Sequence, residues 1–212
     1  MSSVWDARAE AYRTSEAHRE GADLDLLVEW GAGARTALDV ATGGGHVARR
    51  LREAGLEVVS CDPAPGMRPD VVCRAEGLPF ADGSFDVVAC RVAAHHFEDV
   101  AAAVSEMARV AGERVLVVDN LYAGEAAEEA ERLRDPSHVR DYSEDEWRAL
   151  LAGSGLAIEQ VVVLDKAISV GPWLERAGCV GEEAERVREL LADRIEGETL
   201  TLQRIALKGA KR

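Results

Sequence analysis

The chain has 212 residues, 47% of them apolar, and a formal net charge of -14. Its length fits one domain with appendages, and its apolar share is enough to bury a sizeable core. So acidic a chain lacks the basic surface that sequence-independent nucleic-acid binding or an anionic membrane requires, so neither is expected as a partner.

Residues 5–31 read as helical: Trp5, Ala9 and Tyr12 recur at helical spacing, then Leu24, Leu27 and Val28, with Gly21 as punctuation. A first strand covers 36–42 and a helix Gly45 to Ala54. A second strand covers Glu57 to Cys61, and a short third one Val71 to Cys73. Phe85 to Arg91 reads as the fourth strand, Phe97 to Ala111 as a helix, and Arg114 to Asp119 as the fifth strand. Parallel strands alternating with helices predict a doubly wound, Rossmann-like α/β sheet. An acidic helix follows from Gly124 to Leu133. Ser143 and Glu146 make a capping box for the next helix, which buries Trp147, Leu150 and Leu151. The remaining elements are a strand from Ala157 to Leu164, a helix opening at Pro172, a charged helix over 182–196, and a last strand from Thr199 to Leu207.

The four cysteines, Cys61, Cys73, Cys90 and Cys179, have no C-x-x-C spacing and read as small buried hydrophobes of a reducing, cytoplasmic compartment. The start of the chain lacks the pattern of a signal peptide, and no apolar run reaches about 18 residues. No His/Cys/Asp group has metal-ligand spacing, so no metal is expected.

Chemistry concentrates at Ala37-Leu-Asp-Val-Ala-Thr-Gly-Gly-Gly-His-Val-Ala48, where a strand, a glycine turn and a helix follow one another. Gly43, Gly45 and Ala48 fit the dinucleotide pattern, and Asp62 stands at the distance of a ribose-binding acid. Asp39 argues for a different ligand. A carboxylate on the lip of the turn repels a pyrophosphate and attracts an ammonium, which favours S-adenosylmethionine (SAM) over NAD.

These residues, with Cys61-Asp-Pro-Ala-Pro-Gly-Met67, Leu78-Pro-Phe-Ala-Asp-Gly-Ser-Phe-Asp-Val-Val88 and Ala94-His-His-Phe-Glu-Asp99, resemble class I SAM-dependent methyltransferases of the methyltransferase type 11 subgroup, like the quinone-biosynthesis C-methyltransferases. The resemblance covers almost the whole chain. It implies SAM as cofactor, a small-molecule acceptor, and a last strand running antiparallel. Asp39, Ala41, Gly43, Gly44, Gly45, Asp62, Ala75, Glu76 and Arg91 become the cofactor-binding set. His95 and His96, following strand four, are the candidates for a general base; the plainer reading is a helix-entry hydrogen bond. Residues 1–31 form a helical cap and 121–142 a substrate lid, with Tyr12, His138 and Arg140 as substrate contacts.

Two departures matter. Arg74 stands where the family has an acid for the adenine amino group. Pro63-Ala-Pro-Gly-Met-Arg-Pro-Asp70 is too short and too rich in proline for the helix expected between strands two and three. A sheet face left bare near Val58, Val71 and Cys73 predicts either cover by the N-terminal helices, an open adenine side, or a homodimer, with the homodimer favoured. Two rival functions remain: an NAD(P)-dependent oxidoreductase, and a non-catalytic binding module on the same fold.

Overall fold

The structure, a computed structural model, describes residues 4–212. Residues 1–3, part of the expected helical cap and of the expected leader-free start, lie outside the described residues. The parallel half of the sheet consists of β1 (Thr36–Val40), β2 (Glu57–Asp62), β3 (Val71–Val72), β4 (Phe85–Arg91) and β5 (Ala111–Asn120). β6 (Leu156–Ser169), β7 (Ile195–Glu196) and β8 (Thr199–Lys211) complete it in the order β3-β2-β1-β4-β5-β8-β6, with β7 also on β8. The pairings of β8 with β5, β6 and β7 are antiparallel. The doubly wound sheet with an antiparallel last strand is therefore as expected.

Alternation along the strands builds two apolar layers. Leu38, Val40, Val88, Cys90, Val115 and Val117 face one way, toward α5 (Val100–Val110) and α7 (Glu144–Gly153). Ala37, Val87, Ala89, Leu116 and Val118 face α3 (Ala22–Gly31) and α4 (His46–Glu53) on the other side. The expected capping box opens α7: Ser143 Oγ accepts from the Glu146 amide, and the Glu146 carboxylate accepts from the Ser143 amide. Asp99 caps α5 through the Ala102 amide. The helical 5–31 stretch is three pieces, α1 (Val4–Arg13), α2 (Glu16–Arg19) and α3.

The late chain departs most from expectation. β6 runs on to Ser169 rather than stopping at Leu164, and β8 runs to Lys211. The charged helix ends early, as α9 (Gly181–Leu190), because Gly197 at φ +60° turns the chain from β7 into β8. Register then decides position: Asn120 pairs with Arg204, so β8 residues 199–203 and their β6 partners 165–169 overshoot the carboxyl end of β5. α6 (Glu125–Arg134), α8 (Val170–Ala177) and α9 pack a separate small core around this overhang, using Ala130, Trp173, Leu174, Val187 and Leu200.

Between β2 and β3 there is only a single 3-10 turn, Pro65–Met67, and no α-helix, as the prolines predict. α1 covers it. Ala9, Ala64 and Met67 are buried together with Trp5 and Tyr12 packed on them, Asp6 accepts from the Gly66 amide, and Arg13 donates to the Gly66 carbonyl. Val58 joins the core layer under α3, while Val71 and Cys73 pack against the opposite layer. α1 thus covers the link, and Val58, Val71 and Cys73 are half-buried beside an exposed Val72, so little bare face is left to argue for a homodimer. We expect sedimentation at tens of micromolar to give a single 22.8 kDa species; a dimer would require an interface elsewhere. Gly66 also has no room for a side chain, because a Cβ would lie 2.9 Å from the Asp6 Cα. Gly66→Ala should cost about 1–3 kcal/mol in denaturant unfolding by prising α1 off the link, whereas Gly77→Ala, in open space, should not.

Candidate functional site

Strand order reverses between β1 and β4, and in such sheets the crevice at the carboxyl ends of the strands receives the ligand. A cavity of about 510 Å³ opens there. Its floor is the glycine turn. Ala41, Gly43 and Gly45 have φ of +53°, +51° and +76°, so Ala41 carries a methyl in a left-handed conformation that favours glycine. Val92, just past β4, sits at φ +52°, an unusual placement for a β-branched residue. Two strained positions thus flank the crevice, at the ends of its two central strands. A Cβ on Gly44 would come within 2.6 Å of the Tyr12 carbonyl, and that same carbonyl accepts from His46 Nε2 at 3.0 Å. The C-terminal end of α1 therefore rests on the turn.

Asp39 and Asp62 both line the cavity. Asp39 Oδ2 accepts from Thr42 Oγ1 at 2.5 Å and from the Ala48 amide at 3.0 Å, which ties the turn to α4. Burial, with a smaller push from Asp62, outweighs those hydrogen bonds and raises Asp39 to about 6. Asp62 accepts the Gly43 amide on one oxygen and the Ala64 amide on the other, and burial raises it too. Ala41, Gly43, Gly44, Ala75, Glu76 and Arg91 also reach the cavity wall. Gly45 does not; its left-handed backbone starts α4 instead. Arg74 lies at the cavity edge, exposed, paired with Glu98 at 3.0 Å and with Glu76 at 3.3 Å.

The two histidines part ways. The carboxylate of Asp119 holds His95 through the backbone amide and through Nδ1 at 2.5 Å. Burial opposes a charge on His95, but Asp119, helped by Asp141 and Glu131, lifts it to about 9, so it is an imidazolium at neutral pH. His96 Nδ1 lies 3.0 Å from the Ser137 carbonyl. A carbonyl only accepts, so Nδ1 carries the proton and Nε2 keeps its lone pair. Burial first, and the neighbouring His95 charge second, hold His96 neutral, near 3. Both rings line the cavity, and Trp5 sits edge-on to His96 at 4.7 Å.

Of the expected substrate contacts, Tyr12 lines the cavity, whereas His138 and Arg140 do not. His138 is turned inward, with Nε2 3.3 Å from Glu128, and Arg140 pairs with Glu146 at 2.6 Å. The 121–142 segment meets the cavity instead through Arg134, Ser137 and Val139. It is anchored there: the amides of Val139 and Arg140 both donate to the His95 carbonyl. Sequence spacing also conceals one cluster behind the wall. Glu128, His138 and Asp141, all buried, each offer a potential ligand atom within 4.8 Å of the others, and burial raises Asp141 to about 8.

The sequence reading also missed the far wall of the cavity. Trp5 and His18 come from the N-terminal helices, Arg134 from α6, Trp173 and Arg176 from α8, and Ile168, Leu202 and Arg204 from the overhanging hairpin. No local spacing links these positions. The sequence signal was slight: Trp173 with Arg176, and Arg204, stand in partly apolar stretches, while Arg134 is lost among charged neighbours.

The His95–Asp119 pair makes a direct prediction. His95 is raised above its unfolded value, so the stabilisation this proton gives is fully present below pH about 6.5 and is lost as pH rises through about 9. In Asp119→Asn the main partner charge is gone and burial is opposed only by the weaker pull of Asp141 and Glu131, so His95 should titrate well below 9 by NMR of its ring. A wild-type His95 ring that titrates at an ordinary value would remove the ion pair from the account.

Residues 38–117 match the Methyltransf_11 methyltransferase domain. The uncharacterized methyltransferase YcgJ of Bacillus subtilis is 34% identical over 205 residues, covering 84% of this chain and 80% of the relative. The crystal structure of YcgJ superposes with a TM-score of 0.80 at 29% identity, over 90% of this chain and 98% of that one. A demethylmenaquinone methyltransferase of Beutenbergia cavernae is 40% identical over 94 residues, 39% of each chain. On these likenesses the chain belongs to the type 11 family of SAM-dependent methyltransferases.

Proposed function

We propose that this protein methylates a small-molecule acceptor, at an oxygen, nitrogen or carbon atom, using SAM held on the β1 and β2 ends. The observation that carries the reading is the continuity of one cavity from the glycine turn and Asp62 to an apolar and cationic far wall. The chain fits the cofactor on its own geometry: Gly43 and Gly44 expose backbone to the cavity, and Asp62 keeps a free lone pair on each oxygen beyond its two backbone bonds. When bound, SAM supplies an electrophilic methyl carried on a sulfonium. Everything else falls to the protein. Asp62 would accept the ribose hydroxyls. Asp39, raised by burial to about 6, would be drawn further toward its charged form by an ammonium beside it. Alignment of the two reactants is the main contribution a protein makes to such a displacement, on the order of 7–11 kcal/mol when complete.

Proton handling follows from the histidine geometry. His96 Nε2 is the lone pair available to accept a hydrogen bond or a proton from the acceptor. His95 is its positioning neighbour, fixed as a cation by Asp119. So weak a base suits an acceptor that is already acidic or already ionised. Trp5 and Tyr12 on α1, with the anchored lid, would exclude water. The four free cysteines fit a cytoplasmic setting, and no helix among the described residues is long and apolar enough to cross a membrane.

Calorimetry with S-adenosylhomocysteine tests the cofactor half. Asp62→Ala should lose about 1.5–3 kcal/mol of affinity in a folded protein. Equal binding by variant and parent would mean that Asp62 serves only the turn. A SAM-turnover screen over phenols, quinols, amines and carboxylates tests the acceptor half.

A further inference from the structure

The far wall of the cavity has a charge the exterior does not. Four guanidinium groups line it, those of Arg91, Arg134, Arg176 and Arg204. Asp23 serves two of them at once, taking Arg91 Nε at 2.8 Å and Arg204 Nη1 at 2.7 Å on the same oxygen. Glu131 serves Arg134 at 3.0 Å. No carboxylate among the described residues pairs with Arg176, whose one hydrogen bond is a 3.5 Å contact to Ser15 Oγ. Two buried donor atoms, Arg91 Nη2 and Arg204 Nε, have no partner at all. Four cations thus face two carboxylates in a protein of net charge -14.

Such an excess is costly to hold in a partly desolvated wall, and it persists where something fills it. Burial first, then the repulsion of Arg134 and Arg204, makes the charge of Arg176 harder to sustain, and only Tyr12 and Glu131 act the other way. The Arg134 guanidinium sits over the Trp173 ring, 4.4 Å from its centroid, and the ring leaves an apolar rim. Ile168, Leu202 and Trp5 extend that rim.

We propose that the methyl acceptor is an organic anion, an apolar body with an oxyanion head, and that Arg176 is the residue that selects the head. The inference rests on the methyl-transfer reading and adds the class of acceptor to it. A planar guanidinium with free forks suits a carboxylate, phosphate or sulfonate bidentately, and a half-buried one such as Arg176, with no carboxylate partner among the described residues, discriminates against neutral molecules. The other available source of such an anion is the carboxylate of the cofactor itself, and the experiment separates the two.

The probes are 8-anilinonaphthalene-1-sulfonate and N-phenyl-1-naphthylamine, fluorescent bodies of the same shape with and without the anionic head. They are titrated into the full chain saturated with S-adenosylhomocysteine. The native protein should prefer the sulfonate at least tenfold, and 0.1 M inorganic phosphate should displace the sulfonate but not the amine. Arg176→Gln should abolish the preference while leaving the neutral probe and S-adenosylhomocysteine within about twofold, and Arg176→Lys should restore part of it. Equal affinity for the two probes in the native protein overturns the proposal without any variant. A preference that survives in Arg176→Gln overturns it, as does a tenfold loss of S-adenosylhomocysteine affinity in that variant. Failure of the methyl-transfer reading looks different: S-adenosylhomocysteine would not bind, while the sulfonate preference in its absence would stand.

Discussion

One carboxylate oxygen holds three parts of the molecule at the crevice. Asp23 opens α3, Arg91 ends β4, and Arg204 sits on β8 where it passes the end of β5. All three side chains are buried, and the two cations pull Asp23 down to about 2 against its burial. The N-terminal layer, the parallel sheet and the antiparallel overhang are thus pinned to one another at the switch point. Removing one partner of such a cluster leaves buried charge uncompensated, at a cost on the order of 3–5 kcal/mol. The same pairing leaves the cavity one positive charge in excess, because two arginines share a single acid.

α1, unlike α3, is fixed largely by polar contacts rather than by a large core. Arg8 donates to Asp135 at 2.8 Å and to the Ala177 carbonyl at 2.9 Å, so one side chain joins α1 to the end of α6 and to α8. Asp135 is held well below the usual carboxylate range: Ser137 and Arg8 outweigh its burial. Tyr12 and Asp6 attach the same helix to the glycine turn and to the shortened link. The missing crossover helix and the N-terminal helix are therefore one design: what the link cannot cover, α1 covers, and in doing so it closes the roof of the site.

The parts of the site that follow from local chemistry were legible in the sequence. Asp39, the glycines and Asp62 lie within 24 residues and owe their positions to one strand–turn–helix unit and the next strand end, so a pattern locates them. The prolines of the link announced a missing helix for a covalent reason. Legibility fails where position depends on long-range register. Asp165 and Lys166 read as a strand end, yet β6 continues through them because β8 pairs along its whole length. Arg134, Arg176 and Arg204 converge only once that overhang and its helices are built. His138 sits beside residues that do line the cavity, and sequence alone did not show that it faces Glu128 instead. Residues 38–117, which match the methyltransferase domain, supply the glycine turn, Asp39, Asp62, Arg91 and the two histidines, whereas Arg134, Trp173, Arg176 and Arg204 of the far wall lie outside that span.

The contrast between an acidic exterior and a cationic inner wall has a physical consequence for selectivity. A surface field falls off over about 8 Å at physiological salt, so the net charge slows an approaching anion only weakly. Inside, where water is sparse, each unpaired guanidinium acts at short range and its strength is little screened. Discrimination is therefore decided after entry, by whether a ligand can satisfy donors that are otherwise idle. A neutral body can fill the Trp173 rim but leaves Arg176 and the free nitrogens of Arg91 and Arg204 as they are. An anion of the same shape relieves them. His96, a weak base in the same wall, fits that division of labour: an acceptor that arrives already ionised needs orientation and a hydrogen bond more than it needs its proton removed.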